Sequence, residues 1–427
     1  MAPKHQAPRG TRDLLPDETA LWRMVEAQAR GVLERYGYGE IRTPMFEDYE
    51  LFARSAGESS DVVQKEMYRF RDLGDRDLAL RPEFTAGVMR AYLEHGLGGR
   101  ARVHRLWSMG PVFRYGRPQK GRYRQFAQLN CELVGSAASG ADVEMIALFV
   151  DLYEAWGFPD LTVLVNSVGQ PATRRAYGDR LREWLAPVRG QLGADSQQRL
   201  VTNPLRVLDT KDEGDLALLA GLGTMPRLVD TLDAEDRAHW DDVRAGLEAA
   251  GIAYEIDHGL VRGLDYYTRT AFEVHDRSLG AQSALGGGGR YDGLIEMLGG
   301  PPTPGVGFAI GLDRALLVLE QRGVRADNSR TVCLVAMEGT RAAATALARE
   351  LRREFAVETD VDARGFSAQM KAAGKSGARW LVVLGEDEWK RGEVALKDSE
   401  TGAQVTLART ALADALRERM RDRGEDR

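Results

Sequence analysis

Apolar residues recur at Leu21, Val25, Ala29, Val32 and Leu33, a spacing that predicts a helix over residues 16–35. Asp17 and Glu18 fall in its first turn, where negative charge suits the helix dipole, and Tyr36-Gly37 stops it. Residues 38–43 read as a short strand ended by Pro44, which has no N–H to give to a ladder. Further short strands are predicted over residues 67–70, 78–80, 105–113 and 126–134. Strands joined without regular intervening helices point to an antiparallel sheet. Residues 142–156 read as a helix and 161–166 as a strand. From 170 to 250 the pattern turns helical and charged, and this stretch is read as an insertion. Sheet character returns over 254–274 and 281–294. Pro301, Pro302 and Pro304 then break the chain before a glycine-flanked apolar run, 305–319.

Residues 321–330 form a polar linker, beyond which the pattern becomes strand, helix, strand. Residues 332–337 and 380–384 are almost wholly apolar, as strands covered on both faces are. Ala344, Leu347, Leu351 and Phe355 mark one helix between them, and Leu412, Leu416 and Met420 mark the last. The predicted fold class is α+β. An antiparallel sheet with flanking helices occupies 1–169 and 251–325, a helical insertion 170–250, and a separate α/β domain 331–427.

Composition narrows the function classes. The 427 residues carry a formal net charge of −6, with 43% hydrophobic and 29% charged residues. A uniformly basic nucleic-acid coat is excluded, whereas an enzyme with a local basic site is not. Cys131 and Cys333 are too far apart in sequence for a metal motif or a disulfide framework, so buried thiols in a reducing compartment are expected. No apolar run has the length of a membrane span and the N-terminus lacks a secretory pattern, so the expected location is the cytoplasm, without membrane attachment.

Two apparent motifs fail on inspection. Gly374-Lys375-Ser376 resembles the end of a phosphate loop, but Gln369 stands where its first glycine belongs. Gly286 to Gly289 lacks the strand and helix of a dinucleotide unit. No His-based metal or triad site is expected from six scattered histidines.

Four polar clusters remain inside the sheet-like sequence. In LRPEFTAG, alternation along a strand end would put Arg81, Glu83 and Thr85 on one face. FRYGRPQKGRYRQFAQLNCELVG carries Arg114, Arg117, Lys120, Arg122 and Arg124 around a turn made by Pro118 and Gly121. Guanidinium forks suit phosphates or a polynucleotide end, although an exposed charged hairpin would carry the same composition. Gln128 and Glu132 share one face of the returning strand. LVRGLDYYTRTAFEV and ALGGGGRYDGL supply Arg262, Asp265, Tyr266, Tyr267, Arg290 and Asp292, residues suited to an anionic, aromatic-sized ligand. Finally, GVGFAIGLDRALLVLE couples a strand to a helix with Arg314 in its first turns.

At these segments the chain resembles the class II aminoacyl-tRNA synthetases, and within them the histidyl-tRNA synthetase family. The helix and strand ending at Pro44 are similar to the class's first motif, which builds a dimer interface. FRYGRPQKGRYRQFAQLNCE is similar to the second motif and GVGFAIGLDRALLVLE to the third. LVRGLDYYTRT and GGGGRYDGL resemble the two peptides particular to histidyl enzymes. The resemblance implies a class II sheet and an anticodon-binding domain over 331–427. It also implies ATP-dependent activation of L-histidine and transfer to tRNA(His), with Mg²⁺ and a homodimer.

Residue by residue, the resemblance implies that Glu83, Thr85 and Gln128 hold the α-amino end of histidine. Glu132 and Tyr267, with Tyr266 nearby, would bond the imidazole. Arg114 would clamp the substrate carboxylate and the α-phosphate, and Arg262 would stabilise the pentavalent phosphorus. Arg122 and Arg314 would hold the β- and γ-phosphates. Arg117, Gln119 and Arg124 would face the tRNA acceptor end. The competing reading is a non-catalytic regulatory subunit of histidine biosynthesis, but such relatives lack the terminal domain and erode the histidyl peptides. A generic ATP-dependent ligase leaves the terminal domain unexplained. Two departures stand out: Gly116 occupies the position where the family's second motif has a glutamate toward adenine, and Ala127 stands where a larger residue is usual.

Overall fold

The computed structural model describes residues 5–57, 60, 62–116, 123–261, 266–325 and 331–421. The chain divides into two compact units, Met1–Val324 and Arg325–Arg427. The first is built on an eight-stranded sheet. Its order is Gly39–Glu40, His104–Phe113, Gln125–Val134, Gly305–Gly311, Ala284–Arg290, Thr268–Asp276, Leu161–Ser167 and Tyr254–Ile256. The six central strands pair antiparallel, and only the two short edge strands run parallel to their neighbours.

One face of this sheet is the main core. Pro16–Arg35 begins with proline at its first helical position, where the missing N–H costs nothing. It buries Leu21, Val25, Ala29, Val32 and Leu33, the periodic residues of the sequence. Ser139–Ala155 and Leu312–Gln321 pack on the same face, against Leu129, Cys131 and Leu133 of the sheet.

The helical stretch is less uniform than an insertion over 170–250 would be. Pro171–Leu185, Ala194–Thr202 and Glu213–Gly221 surround two small apolar clusters of their own. Ala234–Ala249, by contrast, buries Trp240, Val243 and Leu247 in the main core. Its charged composition concealed that membership.

The opposite face of the sheet is covered by Thr85–Glu94, whose Val88, Met89 and Tyr92 meet Val112, Val134, Ala271 and Tyr291. A small three-stranded sheet, Phe46–Asp48, Asp77–Leu80 and Arg69–Arg71, leads into that helix.

In the second unit the order is Ala356–Thr359, Thr331–Ala336, Trp380–Leu384, Glu393–Asp398 and Gln404–Ala408. The first three strands are parallel, as the alternation of strand and helix requires. The last two are antiparallel additions that the sequence analysis did not identify.

Candidate active site

Period-two alternation along Gln125–Val134 decides which side chains reach the site. Leu129, Cys131 and Leu133 enter the core, so Gln128, Asn130 and Glu132 face the other way. Gln128 and Asn130 meet a cavity of about 280 Å³ lined also by Glu83, Thr85, Arg114 and Phe126 from one side. Tyr266, Tyr267, Glu273, Tyr291 and the backbones of Gly286, Gly287 and Gly307 line the other.

Glu83 reaches the cavity by a route different from the expected alternation. The strand ends at Leu80, and a helix starts at Thr85. The Glu83 carboxylate accepts the backbone N–H groups of Thr85 and of Ala86 (3.0 Å), the free donors of that helix's first turn. Burial raises its pKa, and those N–H groups and Arg114 offset part of the effect. Arg81 does not share the face. Its guanidinium donates to the carbonyls of Pro111 (2.8 Å) and Thr43 (3.0 Å) and lies over the Phe84 ring, a buried brace.

Glu132 is 1% exposed and sits behind the cavity wall, accepting a hydrogen bond from the Tyr291 hydroxyl. Desolvation pushes its carboxyl up to about 8, while neighbouring Thr85, Tyr291 and Asn130 draw it part of the way back. Tyr266 packs against Tyr267 and Tyr291 with ring centroids 4.7 Å and 5.7 Å apart. Buried oxygens without a hydrogen-bond partner concentrate here: Gln128 Oε1, Asn130 Oδ1 and Glu132 Oε1. Leaving such atoms unpaired is costly, so they mark where a ligand's donors belong. Arg114 donates to the Pro82 carbonyl at 2.8 Å and keeps its charge at the cavity rim, 5.8 Å from the Phe126 ring centroid.

The structure therefore brings Glu83, Thr85, Arg114, Gln128, Tyr266 and Tyr267 to one cavity, with Glu132 directly behind it. Arg314 lies in the first turn of Leu312–Gln321, just after Gly311 at the cavity edge, and is not itself in the lining. Arg124 stacks on Tyr115 at 3.7 Å and points to the Arg9 carbonyl, also outside the lining. Arg117, Gln119, Lys120, Arg122, Arg262 and Asp265 lie outside the described residues.

Arg290 and Asp292 do not form the ligand pocket expected of them. Arg290 is fully buried and paired with Asp142, with Asp292 at 3.0 Å and with the carbonyls of Ser136 and Ala138. The residue between them, Tyr291, is the one that enters the site. Asn130, midway between Gln128 and Glu132, was legible by the same alternation and was overlooked. Ala127, on the core-facing side, uses its N–H to reach Asp313 at 2.7 Å.

The cavity thus offers the buried Glu83 carboxyl and unpaired side-chain oxygens to a ligand's donors, and the Arg114 guanidinium to an anion. The family model described as Histidyl-tRNA synthetase matches residues 10–315, and the one described as Anticodon binding domain matches 331–419. The histidine–tRNA ligase of Synechococcus sp. (strain JA-3-3Ab) is 51% identical over 414 residues, which is 96% of this chain and 98% of that protein. That of Desulforamulus reducens is 46% identical over 405 residues, 94% of this chain and 96% of that one. Apo S. aureus histidyl-tRNA synthetase matches with a TM-score of 0.80 at 36% identity, covering 96% of this chain and 99% of that chain. The chain belongs to the histidyl-tRNA synthetase family.

Proposed function

We propose that the chain is a histidine–tRNA ligase whose cavity binds L-histidine by both of its polar ends. The observation that carries this is the placement of two desolvated carboxyl groups, Glu83 in the cavity lining beside Arg114 and Glu132 directly behind it. An α-ammonium fits Glu83, Thr85 and the unpaired Gln128 Oε1. An imidazole N–H fits the unpaired Glu132 Oε1, beside Tyr266 and Tyr267. Arg114 then meets the substrate carboxylate and the α-phosphate of ATP. A site built from buried acceptors rejects apolar amino acids strongly, because those acceptors would stay unpaired.

The reaction uses ATP. The histidine carboxylate attacks the α-phosphorus, the bond to the bridging oxygen breaks, and pyrophosphate leaves with the Mg²⁺ that entered as part of the substrate. A 3′-terminal ribose hydroxyl of tRNA(His) then takes the histidyl group, and AMP departs with the electron pair of the broken acyl–phosphate bond. Such steps need positioning and charge stabilisation more than an acid or base. By resemblance, Arg262 stabilises the phosphorus, Arg122 and Arg314 hold the outer phosphates, and Arg117, Gln119 and Arg124 face the acceptor end. Residues 331–427 take the anticodon.

A homodimer is supported by Met45 and Phe46, about half exposed, and by Phe70, whose ring lies 6.4 Å from that of Phe46. These apolar groups adjoin the segment similar to the class's first motif, and an exposed apolar cluster marks a contact surface. A cytoplasmic location fits two buried, unpaired cysteines. No helix among the described residues is long and apolar enough to cross a membrane. The regulatory-subunit reading is not favoured, because the match to the terminal domain spans 331–419.

ATP–pyrophosphate exchange tested across the standard amino acids checks the reading. Exchange with histidine alone is expected. Exchange with another amino acid, or none with histidine, overturns it.

A further inference from the structure

Tyr266 and Tyr267 are followed by a break in the sheet. Arg290 pairs with Thr268, whereas the next residue back, Gly289, pairs with Ala271, so Arg269 and Thr270 bulge out of the ladder. Arg269 occupies the left-handed region, φ 48°, which a long side chain rarely adopts. Bulges re-aim the chain beside functional sites, and a disfavoured dihedral persists only where its surroundings hold it.

The holding groups come from the helical segment. Arg269 is 7% exposed, donates from Nε to Asp236 at 2.8 Å and pairs through Nη2 with Glu235. Its backbone is tied on both sides, by Arg269 N–H to the Gly169 carbonyl at 3.0 Å and by Val168 N–H to the Arg269 carbonyl at 2.6 Å. Asp236 also accepts the Gln170 N–H at 2.9 Å. Independently, Arg174 of Pro171–Leu185 donates to the Tyr267 carbonyl at 2.6 Å. The Tyr267 ring in turn lies so close to Gly289 that a Cβ there would sit 2.8 Å from its Cδ1.

We propose that Arg269, held by Asp236 and Glu235, and Arg174 are positioning residues that fix Tyr266 and Tyr267 at the histidine end of the cavity. Pro171–Leu185 and Ala234–Ala249 thereby act on the affinity for histidine without touching the substrate. The inference rests on the proposed binding of histidine in this cavity.

Pyrophosphate exchange on the full chain tests it, with active sites titrated so that misfolded molecules do not count. Arg269→Gly tolerates the left-handed backbone but removes the ion pairs. It should raise the KM for histidine about tenfold while leaving the KM for ATP within about twofold, and Arg269→Lys should restore part of the loss. Arg174→Ala, at a half-buried position, should raise the KM for histidine about threefold and serves if the Arg269 variants do not fold. Unchanged KM for histidine, or equal rises for both substrates, would overturn the inference. Failure of the wild type to show histidine-dependent exchange would instead overturn the assignment of the cavity.

Discussion

Gly307 stands directly opposite Glu132 in the ladder, and a Cβ at 307 would overlap Glu132 Oε2 and come within 2.6 Å of the Cys131 carbonyl. Glycine here is the space that the buried carboxylate occupies. Gly307→Ala should therefore displace Glu132 and strain the strand pair, costing about 1–3 kcal/mol of stability. The KM for histidine should rise while that for ATP stays near the wild-type value. A variant with normal stability and normal KM would show that Glu132 does not occupy this position.

Burial also makes Glu132 a source of pH dependence. Its carboxyl is pushed up to about 8 from the ordinary 4.5, so the folded chain keeps this proton to a higher pH than the unfolded chain does. Stability from this group is full below the unfolded value, falls as pH rises through the interval, and is lost above about 8. Glu132→Gln removes the titration. Between about pH 5 and 8 its Tm should decline less steeply than that of the wild type. Parallel Tm–pH curves would contradict the assignment.

Gly116 has room for the side chain usual in the family. Among the described residues, a Cβ there would meet nothing nearer than Glu66 Oε1 at 4.0 Å. Gly116→Glu should lower the KM for ATP several-fold by adding one hydrogen bond of about 1 kcal/mol. Since Glu66 would repel the new carboxylate, Gly116→Glu combined with Glu66→Gln should lower it further. An unchanged or raised KM in both would refute the prediction.

Asp142 and Arg290 are fully buried partners at the base of the glycine-rich strand. Removing Asp142 leaves the buried Arg290 with Asp292 as its one remaining ion-pair partner among the described residues, at a cost of up to about 3–5 kcal/mol. Asp142→Asn should lower Tm sharply, while the molecules that remain folded keep their KM for histidine. A raised KM with normal Tm would place this pair in the site.

What the sequence revealed depended on local periodicity. Gln128 and Glu132 were legible because a strand repeats every two residues, and the Pro16–Arg35 helix because its apolar residues follow a helical period. Glu83 and Thr85 reach the cavity by a geometry other than the expected one, since the chain turns into a helix where alternation was assumed. Arg290, expected at a ligand, lies in the core, and its neighbour Tyr291 lines the cavity instead. Nothing local distinguishes a guanidinium facing a ligand from one facing Asp142, 148 residues away. Long-range packing likewise hid the place of Trp240, Val243 and Leu247 in the main core. The antiparallel strands Glu393–Asp398 and Gln404–Ala408 were missed for a different reason, because the outer one exposes most of its residues and has no buried stripe.

In the proposed function the ammonium is read through Glu83 and the imidazole through Glu132. Calorimetric titration of L-histidine and of imidazolepropionate, which lacks the ammonium, into wild type and Glu83→Gln separates the two ends. Glu83→Gln should weaken histidine about tenfold and leave the affinity for imidazolepropionate unchanged. Equal losses for both ligands, or no loss for histidine, would contradict the account.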